Sequence, residues 1–209
     1  MLITNFTGSE VEGRESAHVF LQNPQSVQRL IETILPILHE KGYFGVNINA
    51  DHVMYEDRQL YVEFVSILSE RLIMEGFYVF ATITPNTFQN ESGVAYRGPE
   101  YAEIGKSVNK ILLLSYEWGR TLRAPGEQLT MDQIRESVDY MKEEVAAEKL
   151  SIGIPILAYD WELPFVRGNS NTQVLNYNSA ISLAAEKESI IIFNEEKQAP
   201  SFEYTLWML

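Results

Sequence analysis

Residues 41–53 read KGYFGVNINADHV, and this stretch decides the fold. Gly42 suits the left-handed end of a helix, and Tyr43 to Ile48 is a short run apolar enough to be covered on both sides, as in a parallel sheet. Upstream, Asn23 can cap a helix whose first position is Pro24, the favoured place for a residue without an N–H. Val27, Leu30, Ile31, Ile34, Leu35 and Leu38 then fall on one face of that helix. Downstream, Glu56 and Asp57 sit where a helix amino end favours negative charge, and Leu60, Phe64, Ile67, Leu68 and Leu72 keep helical spacing up to Gly76. A strand flanked by two amphipathic helices is the repeating unit of an α/β protein.

The same order extends outward in both directions. Leu2 to Phe6 reads as a strand before the unit, separated from Asn23 by a polar loop, and Phe77 to Thr84, stopped by Pro85, as one after it. Phe88 to Arg97 reads as a surface loop, and a short helix is expected near Pro99 to Lys106. Lys110 to Tyr116 is the fourth strand. Thr130 to Lys149 is a helix with Met131, Ile134, Val138, Met141 and Val145 as its buried stripe, and Leu150 to Ala158 is the fifth strand. After a polar loop, Asn176 to Lys187 reads as a helix, with short strands at Ser189 to Phe193 and Phe202 to Met208.

Strands joined by helices at this spacing specify either an open doubly wound sheet or a closed barrel. TNFTGSE stands after the first strand where a Gly-rich dinucleotide fingerprint would be, which disfavours that version of the open sheet. The 209 residues, 45% hydrophobic and 22% charged, describe one folded domain over 1–209. Sixteen Lys and Arg against 29 Asp and Glu leave a net charge of −13, which repels phosphate backbones and anionic lipid surfaces. Neither a nucleic-acid nor a membrane partner is expected. The absence of cysteine excludes disulfides and thiol catalysis. The three histidines show no metal-ligand spacing, so no metal site and no cofactor are expected. The start, MLITNFTGSEVEG, has no basic region followed by a long apolar run, so an export signal is not expected.

Polar and aromatic residues gather at the carboxyl ends of several strands: Asn5, Asn47 to His52, Tyr116 to Trp118 and Tyr159 to Trp161. A (β/α)8 barrel places its active site there. Four blocks in order, KGYFGVNINADHV, EDRQLYVEF (56–64), LLLSYEWG (112–119) and GIPILAYDWELP (153–164), resemble the family 18 glycoside hydrolases. The resemblance is to the group of spore-cortex and cell-wall N-acetylglucosaminidases that often carry LysM modules. It implies an α/β fold of (β/α)8 TIM-barrel type. A full barrel takes about 250 residues, so the chain is expected to hold an incomplete one, about five barrel strands plus a small insertion. Uncovered sheet edges would then invite self-association.

The resemblance also assigns residues. Family members carry a strand-end signature of the form D-G-x-D-x-D-x-E, or N-I-D-F-E in the spore-type group. Gly45 keeps its glycine, Asn47 matches the spore-type asparagine, Asn49 falls at the last aspartate and Asp51 at the glutamate. In the family the glutamate protonates the glycosidic oxygen, the substrate's acetamido carbonyl attacks the anomeric carbon, and the aspartate stabilises the oxazolinium ion, an exception to the two-carboxylate rule. Asp51 keeps a proton to donate on a shorter stem, and a misplacement of about 1 Å can cost about 100-fold in rate. Asn49 keeps the shape and loses the charge, a loss on the order of 3 kcal/mol in transition-state stabilisation. Tyr116 matches the tyrosine that holds the acetamido group. Glu117 and Trp118, with Tyr159, Asp160 and Trp161, match blocks that suit sugar faces, with Ala158 in place of a glycine.

Three functions follow from these residues. One is a catalytically impaired hydrolase of N-acetylglucosamine-containing glycans, chitin-like or peptidoglycan, with Asp51, Asn49 and Tyr116 at the reacting centre and Asn47, Glu117, Trp118, Tyr159, Asp160 and Trp161 against the sugar. The others are a non-catalytic glycan-binding module and a truncated barrel remnant. The family analogy points to the cell wall or spore surface.

Overall fold

The structure is a computed structural model that describes residues 1–4, 10–50, 53–84, 86–90, 93–97, 101–114, 131–154, 156–166, 170–195 and 198–205. The chain divides into two compact units, Met1–Leu114 with Asp139–Gly153, and Ser115–Val138 with Ile154–Leu209.

In the first unit, β1 (Leu2–Thr4) is followed by α1 (Glu10–Leu21) and α2 (Pro24–Lys41), and then by β2 (Gly45–Asn49). A 3-10 turn at Tyr55–Asp57 leads into α3 (Arg58–Met74) and β3 (Tyr78–Ile83). A hairpin of β4 (Asn86–Asn90) and β5 (Gly93–Arg97) precedes α4 (Tyr101–Ser107) and β6 (Lys110–Leu113). Next come α5 (Met131–Glu144), which belongs to this unit from Asp139 on, and β7 (Leu150–Ile152). The strands β1-β2-β3-β6-β7 form one sheet in that order, every pair parallel.

The expected caps hold α2 in place. The Asn23 side chain accepts a hydrogen bond from Gln25 N, Pro24 occupies the first turn, and Gly42 closes the helix at φ +63°. Val27, Ile31, Ile34 and Leu38 are its buried stripe. On α3, Tyr61, Phe64, Val65, Leu68 and Leu72 are buried. Val46, Ile48, Val79, Ala81, Ile111 and Leu113, alternating along β2, β3 and β6, complete this core. The opposite face of the same strands is mixed, with Asn47, Asn49, Phe80 and Leu112 only partly covered. Gly45 is buried where β2 runs closest to β3, because a Cβ there would lie 2.0 Å from the Tyr78 carbonyl oxygen.

The second unit is built on hairpins. β8 (Leu157–Trp161) pairs antiparallel with β9 (Thr172–Asn176), α6 (Tyr177–Glu186) follows, and β10 (Ile192–Asn194) pairs with β11 (Ala199–Ser201). Asn176 caps α6 by accepting from Ser179 N.

Five parallel strands with their helices are the incomplete (β/α) barrel that the sequence predicts, and the strand expected at Tyr43 to Ile48 is β2. Four elements differ from expectation. Residues 10–21, read as part of a loop, form α1, which buries Ala17 and Leu21 despite the charged Glu10, Glu12, Arg14 and Glu15 along it. Phe88 to Arg97, read as a loop, lies mostly within the β4–β5 hairpin, whose register puts Asn90 opposite Gly93. Leu150 to Ala158 is two strands, with Pro155 standing between β7 and β8 in the sequence and only β7 in the parallel sheet. Among the described residues the last strand is β11 at Ala199–Ser201; of the strand expected at Phe202 to Met208, Phe202 to Thr205 has no strand geometry and the rest lies outside the described residues.

Candidate functional site

β2 carries the first group of candidates. Its register against β1 pairs Leu2 with Asn47 and Thr4 with Asn49, so Asn49 is the last residue of the strand at its carboxyl end. Successive side chains of a strand point to opposite faces, so Asn47 and Asn49 share the face away from the buried Val46 and Ile48. Thr82 Oγ1 on β3 donates to Asn47 Oδ1 at 2.9 Å, which fixes the amide and satisfies a hydroxyl that is itself buried. Asp51 lies outside the described residues, as do Tyr116, Glu117 and Trp118.

β8 carries the second group. Tyr159 and Trp161, two residues apart, stack their rings with centroids 5.6 Å apart and 29° between planes. Asp160 alternates to the other face, where Tyr204 Oη donates to its Oδ2 at 2.7 Å. Burial, then the hydrogen bond and negative charge of Asp160, then the charge of Glu186, push the Tyr204 phenol up to about 12. Asp160 is thus tied to Tyr204, and the two rings stack on the other face of β8. The Trp161 Nε1 atom is buried with no hydrogen-bond partner among the described residues. Chemically, aromatic ring faces suit the C–H bonds of a sugar ring.

Sequence reasoning missed Thr82 and Tyr204. Alternation along Ala81-Thr82-Ile83 assigns Thr82 to the mixed face, but its partner is 35 residues away. No local signal joins Tyr204 to Asp160. Among the described residues no group of three or more His, Asp or Glu side chains could hold a metal ion, and no helix is long and apolar enough to cross a membrane.

The family described as glycosyl hydrolases family 18 matches residues 12–208. A Bacillus subtilis protein named as a sporulation-specific glycosylase, YdhD, is 30% identical over 97% of this chain and 47% of its own length. The cortical fragment-lytic enzyme of Bacillus subtilis is 25% identical over 98% of this chain and 47% of its own length. The crystal structure titled for the sporulation-specific glycosylase superposes with a TM-score of 0.86 at 28% identity, covering 98% of this chain and 67% of the other. The chain therefore spans about half the length of the curated relatives it matches.

Proposed function

Given that the chain belongs to glycosyl hydrolase family 18, we propose that it acts as a catalytically impaired hydrolase of β-linked N-acetylglucosamine glycans. Related proteins are named for glycosylase and spore-cortex fragment lysis, which supports peptidoglycan or a chitin-like oligomer as the substrate class. In this reading residues 1–209 act as one partial-barrel domain. Asp51 is the general acid, Asn49 an uncharged group that orients the acetamido-derived intermediate, and Tyr116 the holder of the acetamido carbonyl. Asn47, Glu117, Trp118, Tyr159, Asp160 and Trp161 line the path of the sugar, with the Tyr159 and Trp161 rings as an apolar platform.

The observation that carries the reading is the carboxyl end of β2. Asn49 closes the strand on its mixed face, beside an Asn47 amide held by Thr82, and Asp51 follows two residues later. An amide at position 49 holds shape without the negative charge that balances an oxazolinium ion, and that loss accounts for impairment.

The test incubates the chain with N-acetylglucosamine oligomers and with peptidoglycan, and detects released products by mass spectrometry. Parent chain, Asp51→Asn and the double variant Asn49→Asp with Asp51→Glu are compared. Slow products from the parent, none from Asp51→Asn and at least about 100-fold faster release by the double variant are expected. Saccharide binding without any product from folded parent and double variant would instead identify a glycan-binding module.

A further inference from the structure

Two polar atoms of the β8–β9 hairpin are buried and unpaired. Neither Trp161 Nε1 nor Thr172 Oγ1 has a hydrogen-bond partner among the described residues. A buried polar atom without a partner has given up its bonds to water and gained none in return, so native chains leave few of them. Of the three such side-chain atoms among the described residues, Ser69 Oγ stands on α3 in the other unit, whereas these two lie on facing residues.

Register brings the two together. Trp161 is the Cα partner of Thr172. Glu162 N donates to Asn171 O at 3.0 Å, which makes that neighbouring pair a hydrogen-bonded one. The two kinds of pair alternate along an antiparallel ladder, so Trp161 and Thr172 form a non-hydrogen-bonded pair, whose side chains stand closest, with Cβ atoms about 5 Å apart. Tyr159 and Val174 form the next such pair on the same face. That face therefore carries the stacked Tyr159 and Trp161 rings on β8 and, across from them, one hydroxyl and one branched apolar side chain on β9. A valine at position 172 would suit the strand equally and bury no polar atom. Where a rule of packing is broken with no gain to the fold, function is the place to look.

We propose that Trp161 Nε1 and Thr172 Oγ1 are two donors to one ligand oxygen, the acetamido carbonyl of an N-acetylated sugar residue. An indole N–H only donates, a threonine hydroxyl rotates to donate, and a carbonyl oxygen has two lone pairs to accept both. A sugar hydroxyl in its place would bring a third proton to a site already made of donors. The acceptor is uncharged, because Asp160 and Glu162 flank Trp161 in the chain and would repel a carboxylate or a phosphate. Trp161 and Thr172 each keep part of their surface exposed, so turning the two side chains presents the atoms without opening the ladder. The free chain bears two unpaired atoms, and the ligand relieves them. This inference rests on N-acetylglucosamine glycans being what the chain binds, and it adds Thr172 to the sugar contacts.

The experiment compares the full chain with Thr172→Val, Thr172→Ser and Trp161→Phe. Calorimetry measures binding of a chitin-type N-acetylglucosamine tetramer and of the glucose tetramer of the same linkage, which has a hydroxyl where the acetamido group stands. Thr172→Val is expected to unfold in urea at the same or a higher midpoint than the parent, because the hydroxyl it removes is unpaired. It is expected to bind the N-acetylated tetramer about 10-fold more weakly and the glucose tetramer within about twofold of the parent. Trp161→Phe, which keeps a ring without the N–H, is expected to weaken the N-acetylated tetramer likewise, while Thr172→Ser binds as the parent does. A lower midpoint for Thr172→Val overturns the inference, since the hydroxyl would then be paired in the free chain. Unchanged affinity in either Thr172→Val or Trp161→Phe overturns the shared site, and an equal loss for both tetramers overturns the acetamido group as its ligand. A parent that binds neither tetramer overturns it as well. Product release, followed separately by mass spectrometry, judges the hydrolase reading: the expected binding without any product sinks that reading and leaves this one standing.

Discussion

Thr82 on β3 and Asn47 on β2 are joined by a 2.9 Å hydrogen bond across the parallel sheet, on the face that the helices leave open. Thr82 is buried, so its hydroxyl depends on this partner. Thr82→Val is expected to destabilise the chain by about 1–2 kcal/mol in urea unfolding, and Asn47→Ala by a similar amount. The double variant should lose clearly less than the two together, because one bond is removed twice. Strict additivity would show that the pair is not coupled.

Two glycines allow steric crowding and backbone strain to be separated. At Gly45 an added Cβ meets the Tyr78 carbonyl oxygen at 2.0 Å, and Tyr78 is held by its own N–H to Phe44 O. β2 and β3 would have to part, so Gly45→Ala is expected to cost about 3 kcal/mol. At Gly42 nothing lies within 4 Å of an added Cβ, and only the +63° φ resists it. Gly42→Ala is therefore expected to cost about 1 kcal/mol. Thermal unfolding of both variants checks the order.

Tyr204 links pH to stability at the alkaline end. Its phenol is pushed up to about 12 by burial and by Asp160, against an ordinary value of 10.0. Between these values the unfolded chain has lost a proton that the folded chain keeps, so stability falls as pH rises through this window. Below pH 10 the contribution is fully present. Ultraviolet titration is expected to show one tyrosine ionising late, and Tyr204→Phe should abolish that late step. A late step that survives the substitution would assign it elsewhere.

Lys149 serves the end of α4. Its Nζ donates to Gly105 O at 2.7 Å and to Val108 O at 2.9 Å, placing a cation against carbonyls that a helix end leaves without partners. Lys149→Met keeps most of the stem's packing and removes both bonds. A loss of about 2 kcal/mol is expected in urea unfolding. No loss would mean that water replaces the ammonium at both carbonyls.

Helix ends and parallel strands were legible because their causes are local. Asn23, Pro24 and Gly42 mark α2 within a few residues of its true ends, and short apolar runs after Gly42 and Gly76 mark β2 and β3. α1 was not legible, because its Glu, Arg and Ser residues hide the few side chains that it buries against the rest of the unit. The β4–β5 hairpin was hidden by the Asn, Gln and Ser that also make loops. At the candidate site, β2 carries Asn47 and Asn49 on one face, as the two-residue period of a strand requires. Their environment was another matter. Thr82 lies 35 residues from Asn47, Tyr204 lies 44 from Asp160, and His18 lies 39 from Asp57. Asp57 was expected to serve its own helix, and its carboxylate instead accepts from His18 of α1 and from Gln22 just after it.

β2 answers to two different kinds of selection. Val46 and Ile48 belong to the packed interior, where any change of volume is felt at once, while Asn47 and Asn49 face away from it. An exchange of carboxylate and amide at position 49 therefore leaves the packed side of the strand, Val46 and Ile48, as it is. Chemistry at the strand end and architecture in the sheet thus reside on opposite faces of the same five residues.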